Sequence, residues 1–221
     1  MSEVDQMHAY YSARAPLMAQ RLATQPSPQV LEIIGQLRSM AQDQTVLEIA
    51  CGPGYWTRYV APVARETVAT DYSVKMLNFA RAQFLPKTRY IHDDAYHLKN
   101  IGGVKFDFGF AMHWVSHIPI ARWKQFFTTF HSHMKQGARV MLVDDIHRPD
   151  DHDPYYSKLD THDSYELRQL PDGSSYEIIK TYFTPGQLRE LLAPFGRNID
   201  IHFTRPRWWL TYDVISGGNR R

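Results

Sequence analysis

Five short apolar runs punctuate the first two thirds of the chain, at residues 46–49, 67–70, 88–91, 106–112 and 138–143. Each is rich in β-branched, aromatic or aliphatic residues and is too short for a buried helix, so each predicts a strand. Between them the spacing turns helical. Residues 73–84 put Met76, Leu77, Ala80 and Phe84 on one side, and residues 120–134 do the same with Trp123, Phe126, Phe127 and Phe130. Residues 55–64 are helix-compatible, and Val30, Leu31, Ile34 and Leu37 form a helical stripe over 29–41. Strands alternating with helices of roughly 10–15 residues predict βαβ units, hence an α/β fold with helices on both faces of a parallel sheet. One or two helices precede it.

The rhythm changes after residue 143. DDIHRPDDHD at 144–153 is polar and proline-containing, which predicts a loop. Residues 164–170 and 175–183 flank Pro171-Asp172-Gly173, and Asp-Gly between alternating runs predicts a hairpin. Thr184-Pro185 supplies an N-cap and a first helical residue for a helix running to about residue 193, where Pro194 and Gly196 end it. Two strand-like runs follow at 199–205 and 208–214.

Composition narrows the class. With 221 residues and 43% hydrophobic content, one domain with a packed core is expected. A net charge of +2 gives no basic stripe for nucleic acid, so no nucleic-acid partner is expected. No apolar run approaches the ~20 residues of a membrane span, the N-terminus lacks the order of a signal peptide, and Cys51 is the only cysteine. A cytoplasmic protein with no membrane partner is the expectation.

The strongest local signal is VLEIACGPG at 46–54, where an apolar strand runs into a small-residue turn before a helix. Such a turn opens a nucleotide pocket at the carboxyl end of a first strand, and its glycines let the backbone approach the ligand. A dinucleotide fingerprint needs a third glycine, and Thr57 stands there. Asp71 ends the second strand, where a carboxylate accepts both hydroxyls of a ribose. With Asp94 after the third strand and Glu48 on the first, the crevice gathers acids that repel a pyrophosphate. They suit a nucleoside ligand bearing positive charge, such as S-adenosyl-L-methionine.

These segments resemble the class I S-adenosylmethionine-dependent methyltransferases, in their small-molecule branch. VLEIACGPG resembles motif I of that family, VATDYS at 68–73 the acidic second motif, DDA at 93–95 the third, FDFGFAMHWVSHIP at 106–119 the fourth, and GARVMLVDD at 137–145 the fifth-strand segment. The resemblance implies a Rossmann-like doubly wound sheet of seven mostly parallel strands, the last antiparallel. It divides a single domain into a helical cap (1–44), a cofactor-binding core (45–145), a substrate lid with a hairpin (146–183), and a final helix and strands (184–221). It also implies roles. Asp71 binds the ribose; Tyr72 and Met76 pack along ribose and adenine; Asp94 accepts from the adenine amino group beside Ala95. Glu48, Ala50 and Gly52 line the methionine moiety, and Ala111 and His113 border the sulfonium. Ala50 departs from the pattern, standing where many members have glycine. Tyr11 and Arg14, in YYSARA at 10–15, resemble a stretch that folds over the cofactor in related enzymes.

Methyl transfer from a sulfonium is an in-line displacement that requires alignment, exclusion of water and, for a protonated acceptor, a base. His113 and His117, just past the fourth strand, are the candidate bases, since imidazole changes charge nearest neutrality. Trp114, Tyr156, Arg168, Tyr176 and Trp208 are candidate substrate contacts, although Trp208 and Trp209 must point to opposite sides of a strand. His147 with Asp144, Asp145, Asp150, Asp151 and Asp153 reads as a solvated loop rather than a metal site. The expected reaction moves a methyl group to an O or N atom of a small molecule. RNA or protein methylation is disfavoured, because Ala111-Met112-His113-Trp114 replaces the Asn/Asp-Pro-Pro-aromatic motif of amide and exocyclic-amine enzymes. A non-catalytic binding module is disfavoured by the intact acids.

Overall fold

The computed structural model describes residues 3–147, 155–157 and 163–215. The five apolar runs form β1 (Thr45–Ile49), β2 (Glu66–Asp71), β3 (Thr88–His92), β4 (Phe106–Met112) and β5 (Met134–Asp145). With β9 (Gly196–Thr204) and β10 (Arg207–Val214) they make a seven-stranded sheet in the order β3-β2-β1-β4-β5-β10-β9. The first five strands are parallel, and β10, the last strand, runs antiparallel to both β5 and β9. The seven-stranded, doubly wound expectation is borne out. β6 (Tyr155–Ser157), β7 (Ser164–Gln169) and β8 (Ser175–Ile179) form a second, antiparallel sheet. Asp172-Gly173 turns the β7–β8 hairpin with Gly173 at φ +86°. Asp150, Asp151 and Asp153 lie outside the described residues.

Helices cover both faces. α2 (Pro28–Ala41) and the short α3 (Thr57–Val60) pack Ile33, Leu37 and Val60 against Val46, Phe110 and Val143. On the other face α5 (Trp123–Ser132) and α6 (Pro185–Leu192) pack Phe126, Phe130 and Leu188 against Leu47, Leu142 and Leu210. Strand alternation sorts the residues: Val46 faces one core and Leu47 the other, Trp209 one and Trp208 the other. α6 starts on the expected Thr184, in a full capping box with Gln187. α4 (Val74–Arg81) starts on Ser73, whose hydroxyl accepts from the Met76 amide.

Some boundaries differ from expectation. The helix expected over 55–64 shrinks to α3 because Gly52 and Gly54, at φ +56° and +84°, hold the chain in turns, and Pro62 lacks the N–H to extend it. α1 (Glu3–Gln20) and α2 are the two helices that precede the core.

Close packing leaves a sharp test at Gly109, on β4. A Cβ there would sit 2.7 Å from Phe130 Cζ and 2.9 Å from Met134 Cε. Gly109→Ala is expected to cost about 1–3 kcal/mol by overpacking, read as a lower urea midpoint at unchanged slope.

Candidate active site

The loops at the carboxyl ends of β1–β5 open into one cavity of about 620 Å³, roofed by α1. The roof is one helix face: Met7, His8, Tyr11, Arg14 and Met18 recur at helical spacing. α1 is tied at both ends of the cavity. The His8 ring stacks on Tyr72 at 3.8 Å, and Ser12 Oγ lies 3.2 Å from Ser73 Oγ. Tyr10 packs with Leu170 and Ile178 of the small sheet, and the Glu177 amide donates to Gln6.

At the β1–β3 end, Asp71 receives the Gly52 amide on Oδ2 and the Ser73 amide on Oδ1, each at 2.8 Å. Burial nonetheless pushes its carboxyl up to about 6. Each oxygen keeps a lone pair for a ligand. Asp94 accepts the Tyr96 amide at 2.8 Å and pairs with His97 at 2.9 Å. Ala50, Gly52, Tyr72, Met76, Asp94 and Ala95 all line this end. Ala50 sits at φ +54°, a left-handed conformation that favours glycine, which accounts for the glycine preference there.

Glu48 and Ala111 do not line the cavity. Glu48 is 1% exposed beneath the loop, where it accepts from Thr57 Oγ1 at 2.6 Å. Burial, with Asp71 nearby, pushes its carboxyl up to about 8 against the lowering effect of that bond. The crevice therefore presents Asp71, Asp93 and Asp94, with Glu48 as the floor of the loop. Ala111 is fully buried.

At the β4–β5 end, His113 holds φ +56° at the strand terminus while its amide donates to the Val143 carbonyl at 2.7 Å. A non-glycine residue in that conformation marks a site where surrounding structure sustains strain. Its Nδ1 lies 3.3 Å from Asp145 Oδ2, and the ring faces Trp56 across 6.4 Å. Burial alone would raise the Asp145 carboxyl, but His113, Lys180 and Arg207 hold it well below the usual carboxylate range. His117 is buried with both ring nitrogens engaged, Nδ1 with the Ile179 carbonyl and Nε2 with the Tyr11 hydroxyl. Burial and the Lys180 charge lower its imidazole to about 3.

Sequence reasoning missed Lys180. Its buried ammonium donates to Asp144 Oδ1 at 2.8 Å, Ser116 Oγ at 2.9 Å and Asp145 Oδ2 at 3.3 Å. The converging His113, Asp144 and Asp145 have the geometry of a cation site, and the ammonium bonds two of the three. Its partners lie far away in sequence, so no local signal marks it. Trp114 and Arg168 line the cavity, as do Arg122 and Arg207. Tyr156 and Trp208 do not. Tyr156 sits on the small sheet bonded to Glu177, and Trp208 is fully buried in the core, the side opposite Trp209. Tyr176 packs beside Tyr10.

A family model described as a methyltransferase domain matches residues 46–137, the stretch that carries the Asp71 pocket and the β4 segment. That segment is a methyltransferase domain, and the chain shares the fold of solved S-adenosylmethionine-dependent methyltransferases. The chain is similar over nearly all of its length to solved structures. DhpI in complex with SAH is 25% identical, with 96% of this chain and 97% of that one covered and a TM-score of 0.75. The DhpI-SAM-HEP complex is 25% identical over 95% and 96% of the chains, TM-score 0.76. The magnesium protoporphyrin IX methyltransferase ChlM of Synechocystis PCC 6803, with bound SAM, shares the fold at 12% identity, 97% and 98% coverage and TM-score 0.63. No curated protein matches. Among the described residues no helix is long and apolar enough to cross a membrane.

Proposed function

We propose that this methyltransferase transfers the methyl group to an O–H or N–H group of a small molecule held at the β4–β5 end of the cavity, with His113 as general base. The observation that carries this reading is a single cavity with a nucleoside-type carboxylate, Asp71, at one end and a carboxylate-oriented imidazole, His113–Asp145, at the other. The donor fits the residues present: Asp71 would hold the ribose hydroxyls, Asp94 and Ala95 the adenine, Tyr72 and Met76 its faces, and the Ala50–Gly52 backbone the amino-acid moiety. S-adenosylmethionine supplies an activated methyl group on a sulfonium.

The chain's own contribution is alignment, exclusion of water and proton handling. The α1 roof and the small sheet cover one side of the cavity and would limit water at the reacting centre once donor and acceptor fill it. A proton on His113 Nδ1 directed at Asp145 leaves the Nε2 lone pair for the acceptor, as an orienting carboxylate does in other His-based catalysts. The engaged nitrogens of His117 argue for a structural task. A concave cavity of about 620 Å³ favours a small acceptor over RNA or protein.

The test is transfer of label from methyl-tritiated S-adenosylmethionine to matched alcohols, amines and carboxylic acids, such as benzyl alcohol, benzylamine and benzoic acid, with phenols beside them. Label is expected on an O or N atom, and His113→Ala is expected to lower turnover by about 10²-fold or more at unchanged donor affinity. Wild-type turnover in His113→Ala sinks the base; labelling of RNA or protein alone sinks the small-molecule reading.

A further inference from the structure

The Tyr11–His117 pair carries a consequence for acceptor choice. His117 Nδ1 lies 2.5 Å from the Ile179 carbonyl oxygen, which only accepts, so Nδ1 carries the ring proton. A neutral ring then has a bare lone pair on Nε2, 2.7 Å from Tyr11 Oη. The Tyr11 hydroxyl must donate its hydrogen there. The oxygen keeps its lone pairs, and among the described residues no further hydrogen bond reaches it. Burial and Lys180 keep the imidazole neutral, which fixes the tautomer.

The neighbouring cations do not fill those lone pairs. The three N–H groups of Lys180 go to Ser116, Asp144 and Asp145. Arg168 pairs with the buried Glu166. Lys180 and Arg168 are thus met by carboxylates, and Arg14 donates to the Tyr10 hydroxyl. Tyr11 meets His117, just past β4, whose ring in turn meets Ile179 at the end of β8.

We propose that Tyr11 is a specificity-determining residue: its oxygen, with the hydrogen committed to His117, accepts a hydrogen bond from an N–H of the methyl acceptor that His113 does not remove, and so selects amines over a bare carboxylate oxygen at that position. His117 is a positioning residue that acts through Tyr11. This rests on the small-molecule reading above. An anionic oxygen would meet lone pairs where a donor meets a partner, and an unmet buried polar group is costly.

Two measurements test it. Long-range proton–nitrogen NMR of the full chain reads the tautomer without any acceptor: His117 is expected as neutral Nδ1–H from pH 8 to pH 5. An Nε2–H ring or an imidazolium overturns the proposal. With the matched panel, Tyr11→Phe is expected to lower kcat/KM for benzylamine at least about tenfold, with donor affinity by calorimetry within about threefold. His117→Phe, which removes the ring lone pair and frees the hydroxyl, should shift selectivity toward benzoic acid by a similar factor. His117→Gln, which again offers an acceptor and a donor, should restore the original order. Loss of donor affinity in Tyr11→Phe with unchanged selectivity overturns the proposal. Absence of turnover with the whole panel counts against the small-molecule reading, and the NMR tautomer then decides Tyr11 separately.

Discussion

Asp71→Ala is expected to weaken S-adenosylmethionine binding by about 10²–10⁴-fold, since two hydrogen bonds to a charged acceptor contribute roughly 1.5–3 kcal/mol each. The carboxylate is pre-aimed. The Gly52 and Ser73 amides fix both oxygens, so the ligand meets acceptors already in place. Asn is not an adequate substitute, because its NH₂ would face one of those amides donor to donor. The same residue sets a pH dependence. Burial pushes its carboxyl up to about 6, and only the ionised form offers acceptors to both ribose hydroxyls. Affinity should therefore be level above pH 6 and fall about tenfold per unit below it. Isothermal calorimetry from pH 4.5 to pH 8 checks both. Unchanged affinity in Asp71→Ala would remove this residue from the donor site.

How much of this was legible depended on whether the signal was local. β1 to β4 announced themselves as apolar runs, and Asp172-Gly173 and Thr184-Pro185 set a hairpin and a helix start from neighbouring residues alone. The acid at the end of β2 could be placed because strand periodicity locates the carboxyl edge of the sheet. α1 was harder. It is clasped on one side by α4 and on the other by β8, so its apolar side chains do not gather into one stripe. β6 is three residues long and is defined by its pairing with β7, from Tyr155 opposite Glu166 to Ser157 opposite Ser164.

The site followed the same division. The Asp71 pocket is built by segments adjacent along the chain and was readable. The β4–β5 end is assembled across distance: Lys180 meets Asp144 and Ser116, and Tyr11 meets His117, only after the insertion and α1 fold over the core. Glu48 illustrates the opposite error. Its position in the motif suggested a ligand contact, but strand alternation and Thr57 turn it under the loop.

That burial makes Glu48→Gln the second large expected effect, this time on stability. The Glu48 carboxyl is 1% exposed, and burial raises it from 4.5 to about 8. A raised carboxyl means that the unfolded chain releases its proton first as pH rises. Below about pH 4.5 both states hold the proton, and the residue contributes nothing to pH dependence. Between 4.5 and 8 the folded state alone stays protonated, so stability falls by about 1.4 kcal/mol per pH unit. Above 8 both states are ionised and the loss is complete, of the order of 3–5 kcal/mol. Gln keeps the shape and a carbonyl oxygen for Thr57 and never ionises. Urea unfolding should therefore find the two proteins similar at pH 4.5 and Glu48→Gln more stable by several kcal/mol at pH 8. Asp71 titrates in the same direction up to about pH 6 in both proteins, so it cancels in their difference. A parallel pair of stability curves from pH 4.5 to pH 8 would mean that Glu48 is ionised in the folded state, with its charge met by a donor other than Thr57. The same comparison bears on the reaction. A neutral Glu48 leaves Asp71, Asp93 and Asp94 as the acids that the donor meets, and Glu48→Gln should then bind S-adenosylmethionine at pH 7 within about threefold of wild type, a difference of less than about 1 kcal/mol.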